Sequence, residues 1–121
     1  MAGVSTLGAG GHVGDIGKAI EKIVRGSGFS IVQDLGGHGV GHEIHEEPFI
    51  PNFNNGRKGE LMEEGGVFAI EPMINAGGYG VTFDKNDGYT VRTADGSRSA
   101  HFELTVAIGS SGPDILTPLS W

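Results

Sequence analysis

Three histidines crowd one octapeptide, His38, His42 and His45 in HGVGHEIH, and imidazoles so close in sequence raise metal ligation or proton transfer as possible chemistry. In an extended segment His38 and His42 share a face and His45 points the other way, so spacing alone does not bring all three to one ion. The HExxH zinc signature is absent: His42-Glu43-Ile44-His45 has the wrong spacing, and the glycines around it disfavour the helix that signature needs. Taken alone, the cluster is better explained as a polar surface loop. Glu71 closes the run Val67-Phe68-Ala69-Ile70, a strand apolar on both faces and hence covered on both. A carboxylate buried there needs a cation, a metal or several N–H donors; the other reading is that the strand ends and Glu71 is solvated. Glu103 falls on the polar face of a second strand beside His101 and Thr105, the ordinary place for a solvated charge. The pairs Glu46-Glu47 and Glu63-Glu64 read as solvated charge, and Asp84 and Asp95 as turn formers.

The elements that must position these groups follow from periodicity. Ile16, Ala19, Ile20, Ile23 and Val24 recur at helical spacing with charged residues between them, which predicts an amphipathic helix ended by Gly26 and Gly28. Residues 29–35 form a short apolar run rich in β-formers, read as a strand closed by Gly36-Gly37. Glycines at alternate positions, two prolines and Asn-Asn-Gly make residues 38–55 an extended loop. Residues 67–74 are the next strand. Asn86-Asp87-Gly88 turns a hairpin into residues 89–93, and Asp95-Gly96 makes a second turn. Alternation is clearest over residues 99–108, where Ala100, Phe102, Leu104, Val106 and Ile108 share one face. A last strand runs through Ile115 and Leu116. Residues 1–13, small and Gly-rich, read as a flexible lead-in to a domain over 14–121. One main helix and a mostly antiparallel sheet make an α+β fold.

Composition narrows the function classes. Eight Lys plus Arg against fifteen Asp plus Glu give a net charge of −7 on 121 residues, which argues against nucleic acid or an anionic membrane surface as a partner. The absence of Cys excludes disulfide scaffolds, thiolate metal sites and cysteine nucleophiles. No apolar run approaches a membrane span and the first residues lack a signal-peptide pattern, so the expected location is cytoplasmic. Glycine, at 23 residues, is far above the usual share of ~7%, which points to tight turns and close backbone approaches.

Taken together, GGHGVGHEIHEEP at 36–48, EEGGVFAIEPMINAG at 63–77 and DGYTVRTADGSRSAHFELT at 87–105 stand in the order and spacing of the type I methionine aminopeptidases. The sequence resembles the C-terminal half of that family, from about Gly14 to Thr117, which implies half of a pita-bread fold. The resemblance makes His38 an imidazole metal ligand, Glu71 the carboxylate of the IEPM element that ligates one metal, and Glu103 the carboxylate bridging two. His45, in the HEEP element, matches the histidine that hydrogen-bonds the substrate carbonyl, so His45 and Glu71 become the catalytic pair by resemblance. Ile44 and Tyr89 match positions lining the pocket for the N-terminal methionine. The implied cofactor is a divalent metal (cobalt, manganese, iron or zinc), normally two per complete site, activating water against the first peptide bond. One imidazole and carboxylates suit such ions.

The resemblance also shows what is missing. The family takes five protein ligands, two of them aspartates from the N-terminal half, and three have counterparts here. Leu104 stands where the family usually has a histidine, and Gly66 replaces a larger apolar residue before the IEPM strand. The leading expectation is therefore removal of N-terminal methionine from peptides or nascent proteins, incomplete without an N-terminal half and poorly active in the isolated chain. The alternative is a non-catalytic pita-bread module that binds peptides or protein termini. A prolidase-like relative is a third reading, but the HEEP and INAG wording favours methionine aminopeptidase. An exposed sheet edge and apolar face would favour a homodimer, or pairing with a complementary N-terminal half.

Overall fold

A computed structural model describes residues 1–117. Helix α1 spans Val13–Gly26 and turns Val13, Ile16, Ile20 and Val24 into the core at spacings of three and four. The His12 backbone N–H donates to the Asp15 carboxylate at 3.2 Å, which stops the first turn from fraying. Ile23, expected within the apolar stripe, is exposed instead, at the rim of an apolar hollow of about 270 Å³ that Ile70 and Leu104 also line.

Among the described residues ten short strands follow: β1 Ser30–Ile31, β2 Gly37–Gly39, β3 Glu46–Ile50, β4 Val67–Ile70, β5 Met73–Asn75, β6 Val81–Phe83, β7 Val91–Thr93, β8 Ser99–His101, β9 Leu104–Gly109 and β10 Gly112–Ile115. They pair antiparallel in three sheets, ordered β10-β9-β4-β2-β3, β1-β5-β8 and β6-β7. Phe68 and Ile70 from β4 and Val106 and Ile108 from β9 meet the buried face of α1 in one cluster with Ile50 and Met62. Each such side chain contributes roughly 1.5–3 kcal/mol by leaving water. No helix among the described residues is long and apolar enough to cross a membrane.

Four expectations change. The lead-in of residues 1–13 is packed: a 3₁₀ turn over Val4–Thr6 and the buried side chains of Val4 and Leu7 join the core. Its glycines let the backbone approach residues 60–62, where the Gly10 N–H donates to the Met62 carbonyl (2.9 Å) and the Met62 N–H to that of Gly11 (2.8 Å). The strand expected over 29–35 shrinks to two paired residues, Ser30 and Ile31. The extended loop over 38–55 contains β2 and β3, an antiparallel pair with a register shift between His38 and Gly39. Finally, the long strands expected over 67–74 and 99–108 are each split in two, and the breaks fall at Glu71-Pro72 and Phe102-Glu103. The last four residues of the expected domain, 118–121, lie outside the described residues.

Those breaks are coordinated. Ile70 pairs with Leu104 before the break and Met73 with His101 after it, at the same offset, so Glu71 falls opposite Glu103 and Pro72 opposite Phe102. Pro72 has no N–H to give, while its carbonyl accepts from the Phe102 N–H at 3.2 Å. The ladder thus bends from one sheet into the next without slipping.

Candidate metal centre

Strand alternation sets the site. Ala69, Glu71 and Met73 point to one face, and their cross-strand neighbours on that face are His38, Glu103 and His101. Glu71 is diagonal to His38 through β2 and diagonal to His101 through β8, within reach of both. β2 can enter this narrow place because Gly37 and Gly39 flank His38: a Cβ on Gly37 would strike the Ala69 carbonyl and one on Gly39 the Glu47 carbonyl. Glu71 is held from behind as well, by the fully buried Asn52, whose amide donates to the Glu71 backbone carbonyl at 3.3 Å.

His38, Glu71 and Glu103 present ligand atoms that all lie within 4.8 Å of one another. His38 Nδ1 is 2.8 Å from the Gly39 carbonyl, which can only accept, so Nδ1 carries a proton and Nε2 is the nitrogen turned toward the site. That Nε2 lies 3.2 Å from Glu71 Oε1. The ring can meet that carboxylate as a donor when protonated or as a fellow ligand when neutral, and Glu103 adds a second carboxylate. A shared cation would relieve the repulsion between the two carboxylates. The donor set, one neutral imidazole nitrogen and two carboxylates, suits a divalent first-row ion.

Glu71 lies between the two readings and nearer the covered one: it is partly buried, with its side chain 14% exposed. Burial pushes its carboxyl above the usual 4.5 and the Glu103 charge pushes the same way, while His38 and His101 pull it down. Glu103 itself is exposed, as its strand face suggests.

His45, not His42, meets His38. Residues 40–45 reverse the chain, with the Gly41 N–H donating to the Glu43 carbonyl (3.1 Å) and the Glu43 N–H to the Glu46 carboxylate (2.8 Å). The His38 and His45 rings end 4.3 Å apart at 56°, and His42 stays exposed. Assuming a straight segment gave the wrong pairing. A cleft of about 870 Å³ opens over these groups, lined by His38, His45, Glu71, Phe83, Tyr89 and His101 among others. Tyr89 reaches its wall while 88% exposed, whereas Ile44 is 73% exposed and does not line it. Leu104 packs against the core on the opposite face from Glu103, and the Phe68 ring lies against Gly66, where a larger residue would sit. His101 was not singled out as functional, although its place two residues before Glu103 on the same strand face was the available signal.

Comparison with known proteins agrees with this architecture. The family described as Metallopeptidase family M24 matches residues 1–110, and the chain belongs to it. It is 52% identical over 104 residues to the methionine aminopeptidase of Clostridium perfringens, covering 85% of this chain and 41% of that protein. With the methionine aminopeptidase of Aquifex aeolicus it shares 49% over 112 residues, covering 91% and 43%. The crystal structure of methionine aminopeptidase from Rickettsia prowazekii superposes with a TM-score of 0.91 at 41% identity, covering 95% of this chain and 46% of that one. The architecture is thus half of a pita-bread fold, and the chain spans less than half the length of these relatives. Likeness to the prolidase of Pyrococcus furiosus, at 24% identity and a TM-score of 0.68, concerns the fold alone.

Proposed function

We propose that this chain is the metal-binding C-terminal half of a methionine aminopeptidase, acting on the N-termini of peptides or nascent proteins. The convergence of His38, Glu71 and Glu103 to within 4.8 Å, in a chain 52% identical to one such enzyme, carries the reading. These three residues would hold the ion, drawn from cobalt, manganese, iron or zinc. Such an ion, when bound, supplies Lewis-acid charge and lowers the pKa of its water. His45, packed beside His38, would hydrogen-bond the substrate carbonyl as charge develops on it. Tyr89, on the cleft wall, would receive the methionine side chain.

A full site takes further carboxylates, which we assign to an N-terminal half; a second copy of this chain would bring glutamates but not at the missing positions. The test is release of methionine from a Met-Ala-Ser peptide with added Mn²⁺ or Co²⁺, by the chain alone and with a separately made N-terminal half. We expect at most trace turnover alone and recovery with the partner. Full turnover by the chain alone would refute the need for a partner. Peptide binding without turnover in either arm would favour a non-catalytic binding module.

A further inference from the structure

We propose that His101 is a positioning residue that fixes the Glu71 carboxylate for cation binding, an inference that rests on the metal-site reading above. The two oxygens of Glu71 have different neighbours: Oε1 lies 3.2 Å from His38 Nε2, and Oε2 lies 3.2 Å from His101 Nε2. The two imidazoles play different parts. His38 commits Nδ1–H to the Gly39 carbonyl and turns Nε2 toward Oε1 from within the converging ligand set. His101 instead donates Nε2–H to Oε2, and it stands outside the set of ligand atoms that converge to within 4.8 Å.

A glutamate carboxylate turns easily about its last torsion, which is broad and two-fold. Here there is a reason for it to turn, since Glu103 stands opposite and repels it. A donor on Oε2 removes that freedom and leaves Oε1 aimed at the space shared with His38 and Glu103. The two residues are 30 apart in sequence but diagonal across β5 and β8, so the hydrogen bond also ties the carboxylate to the far side of the bend. Outer partners of this kind typically change metal affinity about 10–100-fold when removed.

The experiment titrates Mn²⁺ and Co²⁺ calorimetrically into the full 121-residue chain and its variants, with visible absorption of the Co²⁺ form as a second readout. His101→Ala and His101→Leu, which cannot donate, should bind about 10–100-fold more weakly. His101→Gln, which can donate from its amide, should recover most of the affinity with the wild-type Co²⁺ spectrum. Since the His101 side chain is 47% exposed, urea midpoints of all three should stay near wild type. Wild-type affinity in both non-donating variants would overturn the proposal. So would a changed Co²⁺ spectrum in His101→Gln, which would make His101 a direct ligand. Glu71→Ala separates this from the broader reading: if the wild-type chain takes up no metal, or Glu71→Ala binds as well as wild type, the metal site itself fails and the proposal with it.

Discussion

Glu71 and Glu103 face one another across a ladder whose register passes through Pro72 unchanged, so two carboxylates of separate strands occupy one cross-strand position. Like charges directly opposite oppose sheet formation, and nothing in strand pairing favours them. Their value lies in what they can jointly hold.

Neutralising one partner should therefore separate folding from binding. Glu103→Gln is expected to make the metal-free chain more stable by about 0.2–1 kcal/mol, the usual size of a cross-strand pair effect. The same variant should bind Mn²⁺ at least about tenfold more weakly, as the loss of a charged ligand implies. Urea unfolding in chelator and calorimetric titration read the two effects. A less stable metal-free variant would contradict the repulsion.

The pH response of the metal-free chain follows from Glu71. Burial first, and then Glu103, raise its carboxyl above 4.5, so the folded state keeps this proton to higher pH than the unfolded state does. The contribution is full below 4.5 and declines as pH rises through the raised value. Glu71→Gln should flatten that part of the stability profile. Carbon NMR of the Glu71 carboxyl should show a midpoint above that of exposed glutamates; a midpoint at 4.5 or below would overturn the assignment.

Asp95 should behave in the opposite sense. The Ser97 side chain beside it, with the N–H groups of Ser97 (2.9 Å) and Gly78 (2.8 Å), holds its carboxyl at about 2 instead of 3.8. Its contribution is present above 3.8 and is lost as pH falls through about 2. Asp95→Asn should remove this acid sensitivity and increase amide exchange at Gly78. Unchanged exchange there would show that the turn does not depend on the carboxylate.

Gly37→Ala tests the narrow passage of β2. The added methyl meets the Ala69 carbonyl, so β2 must move away from β4 and carry His38 with it. Overpacking of this kind typically costs about 1–3 kcal/mol. Mn²⁺ affinity should fall along with stability, although no ligand has changed. Full affinity in a folded variant would mean that His38 is placed by something other than this strand.

Much of this was legible in the sequence because it is local. The spacing of Ile16, Ile20 and Val24 located the helix, and Asp87-Gly88 and Asp95-Gly96 marked turns that the structure contains. The alternation through Leu104, Val106 and Ile108 gave the buried face of β9. The breaks at Glu71-Pro72 and Phe102-Glu103 were hidden, because bending without slippage leaves side-chain alternation intact. The pairing of His45 with His38 was hidden from periodicity for the opposite reason: a reversal over residues 40–45 and a register shift leave no period to read. His12 and Asp15 signal the helix start only once the lead-in before them is packed.

The unslipped ladder also has a kinetic meaning. The chain between its two halves makes a separate hairpin of β6 and β7, and the His101–Glu71 contact closes across 30 residues. Closing such a loop costs entropy before pairing returns anything, so these contacts belong among the slower steps of folding. Early collapsed species with α1 formed would lack the cluster of His38, Glu71 and Glu103. Cation uptake, followed in real time during refolding, would then act as a clock for the closing of this one ladder.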